Sequence, residues 1–399
     1  MDWQTPEDTV PSAFITEANA RSVLGKPPVT GAWREGDHPG ERKFTSIGAL
    51  DLERGGHLPL VRIAWESWGE LNADRSNAVL VLHALTGDSH VAGGPGAGHP
   101  TAGWWNGVVG PGRAIDTDRW FVVAPNMLGG CQGSTGPASH SPGGVEWASA
   151  FPFVTIRDQV SAQAAFSTAI GIDRWAAVVG GSMGGMQALE WAVGQPDRLD
   201  RVAILAAPAR SNADQVALNA VQIDAVRLDH AFNDGEYYES TEGPYRGLAL
   251  ARRMALLNYR SPSELNDRFE RSWQSDLSPL GDGGRYAVES YLDFHGNKFT
   301  RRFDANSYIT LVEAMNSHDV GRDRGGLVAA LSRVTATALV LGIDSDRLFP
   351  VENQQFIAQH VPTAMDGDDA IVIESEFGHD GFLIEHEVVG QHLERLLTS

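Results

Sequence analysis

Gly180-Gly181-Ser182-Met183-Gly184-Gly185 follows an apolar run of β type, Trp175-Ala176-Ala177-Val178-Val179, and leads into a run of helix type, Met186-Gln187-Ala188-Leu189-Glu190-Trp191-Ala192-Val193. The order is strand, sharp turn, helix, with a Gly-x-Ser-x-Gly turn at its centre. Glycines flank the serine because so tight a turn leaves no room for Cβ atoms beside it. The turn lifts the serine hydroxyl above the sheet edge. The helix behind it aims backbone N–H groups and the positive end of its dipole at the same point. The stretch reads as a nucleophile elbow with Ser182 as the nucleophile. Gly-x-Ser-x-Gly alone is common, and a surface serine in a tight turn is the other reading; the partners of the serine decide between them.

Those partners follow in the chain order Ser, acid, His that an α/β-hydrolase uses. Thr337-Ala338-Leu339-Val340-Leu341-Gly342-Ile343 reads as a buried strand and runs into Asp344-Ser345-Asp346-Arg347-Leu348-Phe349-Pro350. The orienting carboxylate belongs in that loop, where Asp344 and Asp346 compete; either could instead cap the helix starting near Val351. Ala370-Ile371-Val372-Ile373-Glu374 reads as a further short strand. Phe377-Gly378-His379-Asp380-Gly381-Phe382 comes after it, placing His379 in a loop behind the last strand. Serine is a poor nucleophile at its free pKa. A histidine takes its proton, and a carboxylate fixes the ring tautomer and stabilises the imidazolium.

An oxyanion needs two N–H donors. Met183, just after the nucleophile, offers one. Asn77-Ala78-Val79-Leu80-Val81-Leu82 reads as an early central strand that opens into His83-Ala84-Leu85-Thr86-Gly87-Asp88, and Leu85 N–H is the expected second donor. His83 is read as shaping this loop.

Strand-type runs recur at Leu60–Trp65, Ala78–Leu82, Trp120–Val123, Trp175–Val179, Val202–Leu205, Ala338–Leu341 and Ile371–Ile373, with helix-type stretches at Ile156–Ile170 and Met186–Val193 among them. This alternation predicts an α/β fold with a mostly parallel central sheet covered on both faces. The pattern stops after Pro208. From there to Arg324 no central strand is legible, and Tyr245–Asn258, Ser263–Ser272 and Asn306–Asn316 read as helices. The expected organisation is an irregular arm at 1–40, a core of 41–208 and 325–399, and a helical lid at 209–324 that covers the site and excludes water.

Of 399 residues, 42% are apolar, which suits a globular core with an insertion. Fifty-one acids against 31 lysines and arginines give a net charge of −20, which argues against nucleic acid or anionic membrane as partners. The single cysteine, Cys131, allows no internal disulfide and reads as a buried thiol. The acidic start Met1-Asp2-Trp3-Gln4-Thr5-Pro6-Glu7-Asp8 lacks the basic and apolar regions of a signal peptide, and no apolar run is long enough to span a membrane. A cytoplasmic setting is the expectation. Gly93-Gly94-Pro95-Gly96-Ala97-Gly98 resembles a phosphate loop in composition only. Asp366-Gly367-Asp368-Asp369 is too short for a calcium loop, and the 13 histidines show no metal-binding spacing, so no metal is expected.

Several further segments carry a resemblance. They are Trp68-Gly69-Glu70-Leu71-Asn72, His83 to His90, Asn126 to Pro137, Gly180 to Met186, Arg302-Phe303-Asp304-Ala305-Asn306-Ser307-Tyr308, Ser345 to Pro350 and Gly378 to Phe382. From about Phe44 to its end the chain resembles the homoserine O-acetyltransferases, acyltransferases of α/β-hydrolase type. The resemblance implies acetyl transfer from acetyl-CoA, a co-substrate and not a resident cofactor, to the hydroxyl of L-homoserine in methionine synthesis. It implies a triad of Ser182, Asp346 and His379, choosing Asp346 over Asp344 through Ser-Asp-x-Leu-Phe-Pro. It also implies substrate contacts at Arg252 and Asp380, and a homodimer joined through lid helices.

Both contacts have a physical reason. A zwitterionic amino acid needs a cation for its carboxylate, which a guanidinium can grip bidentately, and an anion for its ammonium. On composition alone Arg253 equals Arg252. The chain departs from the family in having Asn316 where an acid is usual. A succinyl donor or a serine acceptor would need only small changes of the pocket; plain ester hydrolysis is a further reading, against which the paired Arg252 and Asp380 argue.

Overall fold

The computed structural model describes residues 22–399; residues 1–21, the first part of the expected arm, lie outside them. From 22 to 42 the chain forms turns and bends. It then builds an eight-stranded sheet in the order β1-β2-β6-β3-β7-β8-β9-β10. Its strands are β1 (Lys43–Asp51), β2 (His57–Trp68), β3 (Ala78–Leu82), β6 (Phe121–Pro125), β7 (Ala177–Gly181), β8 (Arg201–Leu205), β9 (Thr337–Ile343) and β10 (Ile371–Ile373). A small ribbon, β4 (Val109–Gly110) and β5 (Ile115–Asp116), stands apart. β2 is antiparallel to β1 and β6, and every other pairing in the large sheet is parallel.

The central strands are apolar at every position because both faces are covered. Alternate residues supply two separate cores. Leu80, Leu82 and Val178 face the layer holding α1 (Ile156–Ala169) and α2 (Met183–Gly194). Val79, Val81 and Val179 face Trp105 and α11 (His386–Thr398). α1 starts where Thr155 and Asp158 exchange side-chain and backbone hydrogen bonds in a capping box.

Between β8 and β9 the chain forms helices: α3 (Ala213–Arg227), α4 (Tyr245–Tyr259), α5 (Pro262–Phe269), α6 (Ala287–Phe299), α7 (Ala305–Asn316) and α8 (Leu327–Leu331). α4 packs against α3 and α6, and α3 against α7. The chain ends with α9 (Val351–His360), α10 (Gly381–Ile384) and α11.

Two insertion helices, α3 and α6, the short helix α8, and the strands β1, β4 and β5 are absent from the sequence expectation. α3 presents Val216 and Val221 to solvent, so no single apolar stripe marks it. α6 carries Gly296, which reads as a breaker in sequence; a Cβ there would sit 2.9 Å from the Ala249 carbonyl oxygen of α4, so the glycine serves close helix packing. β1 is a half-exposed edge strand whose alternation is broken by irregular register between Ser46 and Leu50. Trp120 and Trp175 stand just before their strands; Trp175 makes only an isolated bridge to Leu199.

Parallel strands deliver their following loops to one end of the sheet. The loop after β3 (83–90), Ser182 after β7, the 344–350 loop after β9 and the 374–380 loop after β10 therefore meet there, beneath the insertion.

Candidate active site

Ser182 adopts φ 58°, a left-handed conformation costly for a residue with a Cβ. Its neighbours make the turn possible. A Cβ on Gly180 would collide with the Gly184 carbonyl oxygen, and one on Gly184 with the Leu82 carbonyl oxygen. Ser182 N–H donates to Leu205 O at 2.9 Å, tying the turn to β8.

Ser182 Oγ lies 2.8 Å from His379 Nε2. His379 Nδ1 lies 2.6 Å from Asp346 Oδ2. The second oxygen of Asp346 accepts N–H groups from Leu348 at 2.8 Å and Phe349 at 2.9 Å, so the carboxylate is fixed at both ends. Asp344 turns away and accepts the Ser375 N–H. All three residues are buried. Tyr259, Phe349 and Phe382 surround the imidazole, with ring centroids 5.2–5.8 Å from it. Burial pulls the His379 pKa down, but the charge and hydrogen bond of Asp346 outweigh it, and the pKa stands above the ordinary value. The arrangement can deprotonate an alcohol and return the proton to a leaving group.

A cavity of about 220 Å³ opens on Ser182. Leu85 lines it, and Met183 is the first residue of α2, so its N–H has no intrahelical acceptor. Arg252 reaches the cavity from α4, while Arg253 turns to Asp293 at 2.5 Å. The Arg252 guanidinium lies 5.5 Å from the Tyr259 ring centroid and 5.2 Å from that of Phe299. Asp380 also lines the cavity, paired with Arg260, whose Nε is 3.3 Å from Oδ2. Burial raises the Asp380 pKa, opposed by Arg260, then His379 and Arg252.

Sequence reasoning missed Thr86, Trp104, Tyr259, Arg260 and Arg302 as cavity or near-cavity residues. Arg302 had a signal, since it opens one of the motifs quoted above. It donates to the Thr86 carbonyl and sits 3.6 Å from Asp88. Thr86 lay inside the quoted segment His83 to His90, and Trp104, Tyr259 and Arg260 carried no signal. Asn316 bonds Asn219 of α3 at 2.7 Å, so this position serves contact between insertion helices.

Below the Leu85 loop, His83 accepts the Met127 N–H at 3.2 Å and lies 2.8 Å from Ala84 O, which shapes the turn. Glu66, His90 and His99 also meet here, from segments too far apart for any spacing rule. His90 Nδ1 is 2.9 Å from Glu66 and Nε2 is 3.2 Å from the Gly94 carbonyl. Two acceptors, one at each ring nitrogen, favour the charged ring with an N–H on both. Burial disfavours that charge, but Glu66 prevails and raises the pKa. His99 stacks on it with centroids 4.0 Å apart and planes 10° apart. Imidazole binds metals in its ring plane, and one ion cannot lie in the planes of two rings stacked face to face. The trio suits an ion pair and not a metal.

Residues 77–385 match the family model for the alpha/beta hydrolase fold, so the chain is a member of that fold family. It is 68% identical over 402 residues to the homoserine O-acetyltransferase of Leifsonia xyli subsp. xyli, covering 100% of both chains. The structure of homoserine O-acetyltransferase from Bacillus anthracis superposes with a TM-score of 0.81 at 28% identity, covering 90% of this chain and 97% of that one. The crystal structure of esterase E22 superposes with a TM-score of 0.79 at 28% identity, over 90% and 99% of the two chains. The chain belongs to the homoserine O-acetyltransferase family.

Proposed function

We infer that this chain moves an acetyl group from acetyl-CoA to the hydroxyl of L-homoserine through an acetyl-serine. His379 takes the Ser182 proton as Oγ attacks the thioester carbonyl. The oxyanion rests on the N–H groups of Met183 and Leu85. The tetrahedral adduct collapses, the C–S bond breaks, and the thiolate leaves with the proton from His379. The homoserine hydroxyl then attacks the acetyl-serine as His379 takes its proton, and Ser182 is released with that proton. Arg252 grips the acceptor's carboxylate and Asp380 its ammonium, turning the hydroxyl toward His379.

One observation carries this reading: Arg252 and Asp380, opposite charges, border the same small cavity as Ser182 and His379. An esterase has no use for that pair. The insertion, in this proposal, is a lid. It limits water so that a positioned alcohol, with an effective molarity of about 10⁵ M or more, wins the acetyl group. The likeness to esterase E22 supports a second reading, hydrolysis of acetyl esters on the same triad. Mass spectrometry after mixing with acetyl-CoA alone should find one added acetyl group on Ser182. CoA release should then rise sharply when homoserine is added; release that ignores homoserine selects the esterase reading.

The proposed assembly is a homodimer through the insertion. An apolar groove of about 640 Å³ between α3, α4 and α5, lined by Leu218, Val221, Met254, Leu257 and Leu265, supports it. The proposed setting is the cytoplasm, which fits a single, buried, unpaired Cys131. No helix among the described residues is long and apolar enough to cross a membrane.

A further inference from the structure

Asp380 already has a cation beside it. Arg260 Nε stands 3.3 Å from Oδ2, and the two side chains are 17% and 19% exposed. Arg260 is the residue that ends α4; its backbone is extended, with φ −99° and ψ 146°, and Pro262 opens the next helix. The corner it forms is fastened to the histidine loop. A Cβ on Gly378 would lie 2.7 Å from the Tyr259 carbonyl oxygen and 2.8 Å from Ser261 N, and Ser261 Oγ donates to the Glu376 carbonyl. The main chains of the two segments therefore touch, and Arg260 has little freedom to leave.

The contact is Coulombic more than a formed hydrogen bond. Arg260 Nε is buried without a hydrogen-bond partner of good geometry. Such a pairing is readily shared with a second cation, whereas a bidentate fork would resist one.

We propose that Arg260 is a positioning residue for the acceptor: it keeps Asp380 ionised and aimed into the cavity, and shares that carboxylate with the substrate's ammonium on binding. This rests on the reading of Asp380 as the ammonium partner. The physical need is plain. A buried carboxylate without a counter-ion takes up a proton, and a neutral acid gives an ammonium little to bind. Asp380 faces Arg260 and Arg252 from α4, His379 beside it, and Asp346 from the loop after β9. Burial raises its pKa, Arg260 is the largest charge opposing the rise, His379 and Arg252 add to that opposition, and Asp346 works against it. Loss of Arg260 lifts the pKa further, so acceptor binding fails at a higher pH.

The test uses the full chain as wild type, Arg260→Gln and Arg260→Lys. Homoserine kcat and KM are measured across mildly acidic to mildly alkaline pH. Two probes accompany them: p-nitrophenyl acetate, which needs no ammonium site, and 4-hydroxybutanoate, which is homoserine without its amine. Arg260→Gln should raise the homoserine KM about tenfold or more, with the acid-side rise beginning at higher pH. Arg260→Lys should recover most of this. Ester hydrolysis and the 4-hydroxybutanoate KM should move several-fold less. Unchanged homoserine KM and pH profile in Arg260→Gln would overturn the proposal. So would loss of ester hydrolysis in step with transfer in both variants, which marks a merely structural corner. If the wild type accepts 4-hydroxybutanoate as well as homoserine, the ammonium reading of Asp380 itself is wrong, whatever the arginine variants do.

Discussion

In the proposed mechanism His379 is a base only when neutral, and Asp346 holds its pKa above the ordinary value of about 6.5. Transfer should therefore fall away as pH drops through that raised value. Asp346→Asn removes the charge that raises it and leaves the tautomer unfixed. Its kcat should fall by about 10⁴, with the acid limb of the pH–rate profile moved to lower pH. A profile that stays in place would assign the limb to another group. Ser182→Ala should abolish the acetyl adduct in the mass spectrum, and near-normal transfer by that variant would refute the acyl-serine route. Asp344 and Asp346 show what sequence leaves open at this scale. They lie two residues apart in one loop, and only the direction in which β9 releases the chain turns one to His379 and the other to the Ser375 N–H.

At the scale of elements, the elbow depends on what packs behind it. Trp191 Nε1 donates to Gln163 at 2.7 Å, Gln163 to Gln187 at 2.6 Å, Gln187 to Gln159 at 2.8 Å, and Gln159 to the Leu128 carbonyl at 3.1 Å. This buried chain locks α2 to α1 and to the loop after β6. Gln187→Leu leaves the Gln163 amide and the Gln159 carbonyl without partners, at about 1–3 kcal/mol each. A thermal unfolding scan should show a clear drop in Tm, and an unchanged Tm would mean the cavity rearranges or admits water. The Glu66–His90 pair carries a pH signature. The His90 pKa is raised in the folded state. Its stabilisation is thus complete below about pH 6.5 and is lost as pH climbs through the raised value. Wild-type Tm should decline across that window, and Glu66→Gln should flatten the decline.

For the whole molecule, the acidic surface and the apolar groove of the insertion pull in different directions. A net charge of −20 favours separate, soluble copies. Leu257 and Val221, 44% and 53% exposed beside the groove, favour burial against a second copy. The proposed homodimer predicts a mass near twice the monomer's by light scattering. Leu257→Asp with Val221→Asp should shift it toward the monomer, and a monomeric wild type would remove the dimer from the proposal.

Much of this molecule is written locally. Gly180 and Ser182 specify their own turn, because a Cβ on Gly180 would strike Gly184 four residues on. The apolar runs from Ala78, Ala177 and Ala338 declare a covered parallel sheet, because every position is buried on one face or the other. The order serine, acid, histidine then follows from motifs on separate strand ends. What tertiary structure alone decided are contacts between segments far apart in the chain: Arg260 beside Asp380, His99 stacked on His90, α3 and α6 made helical by the neighbours they pack against, Arg252 facing the cavity while Arg253 faces away. Local sterics and burial periodicity act over a few residues and leave a mark in the sequence. Charge pairing and helix packing act through space, between residues that carry no sign of each other until the chain has folded.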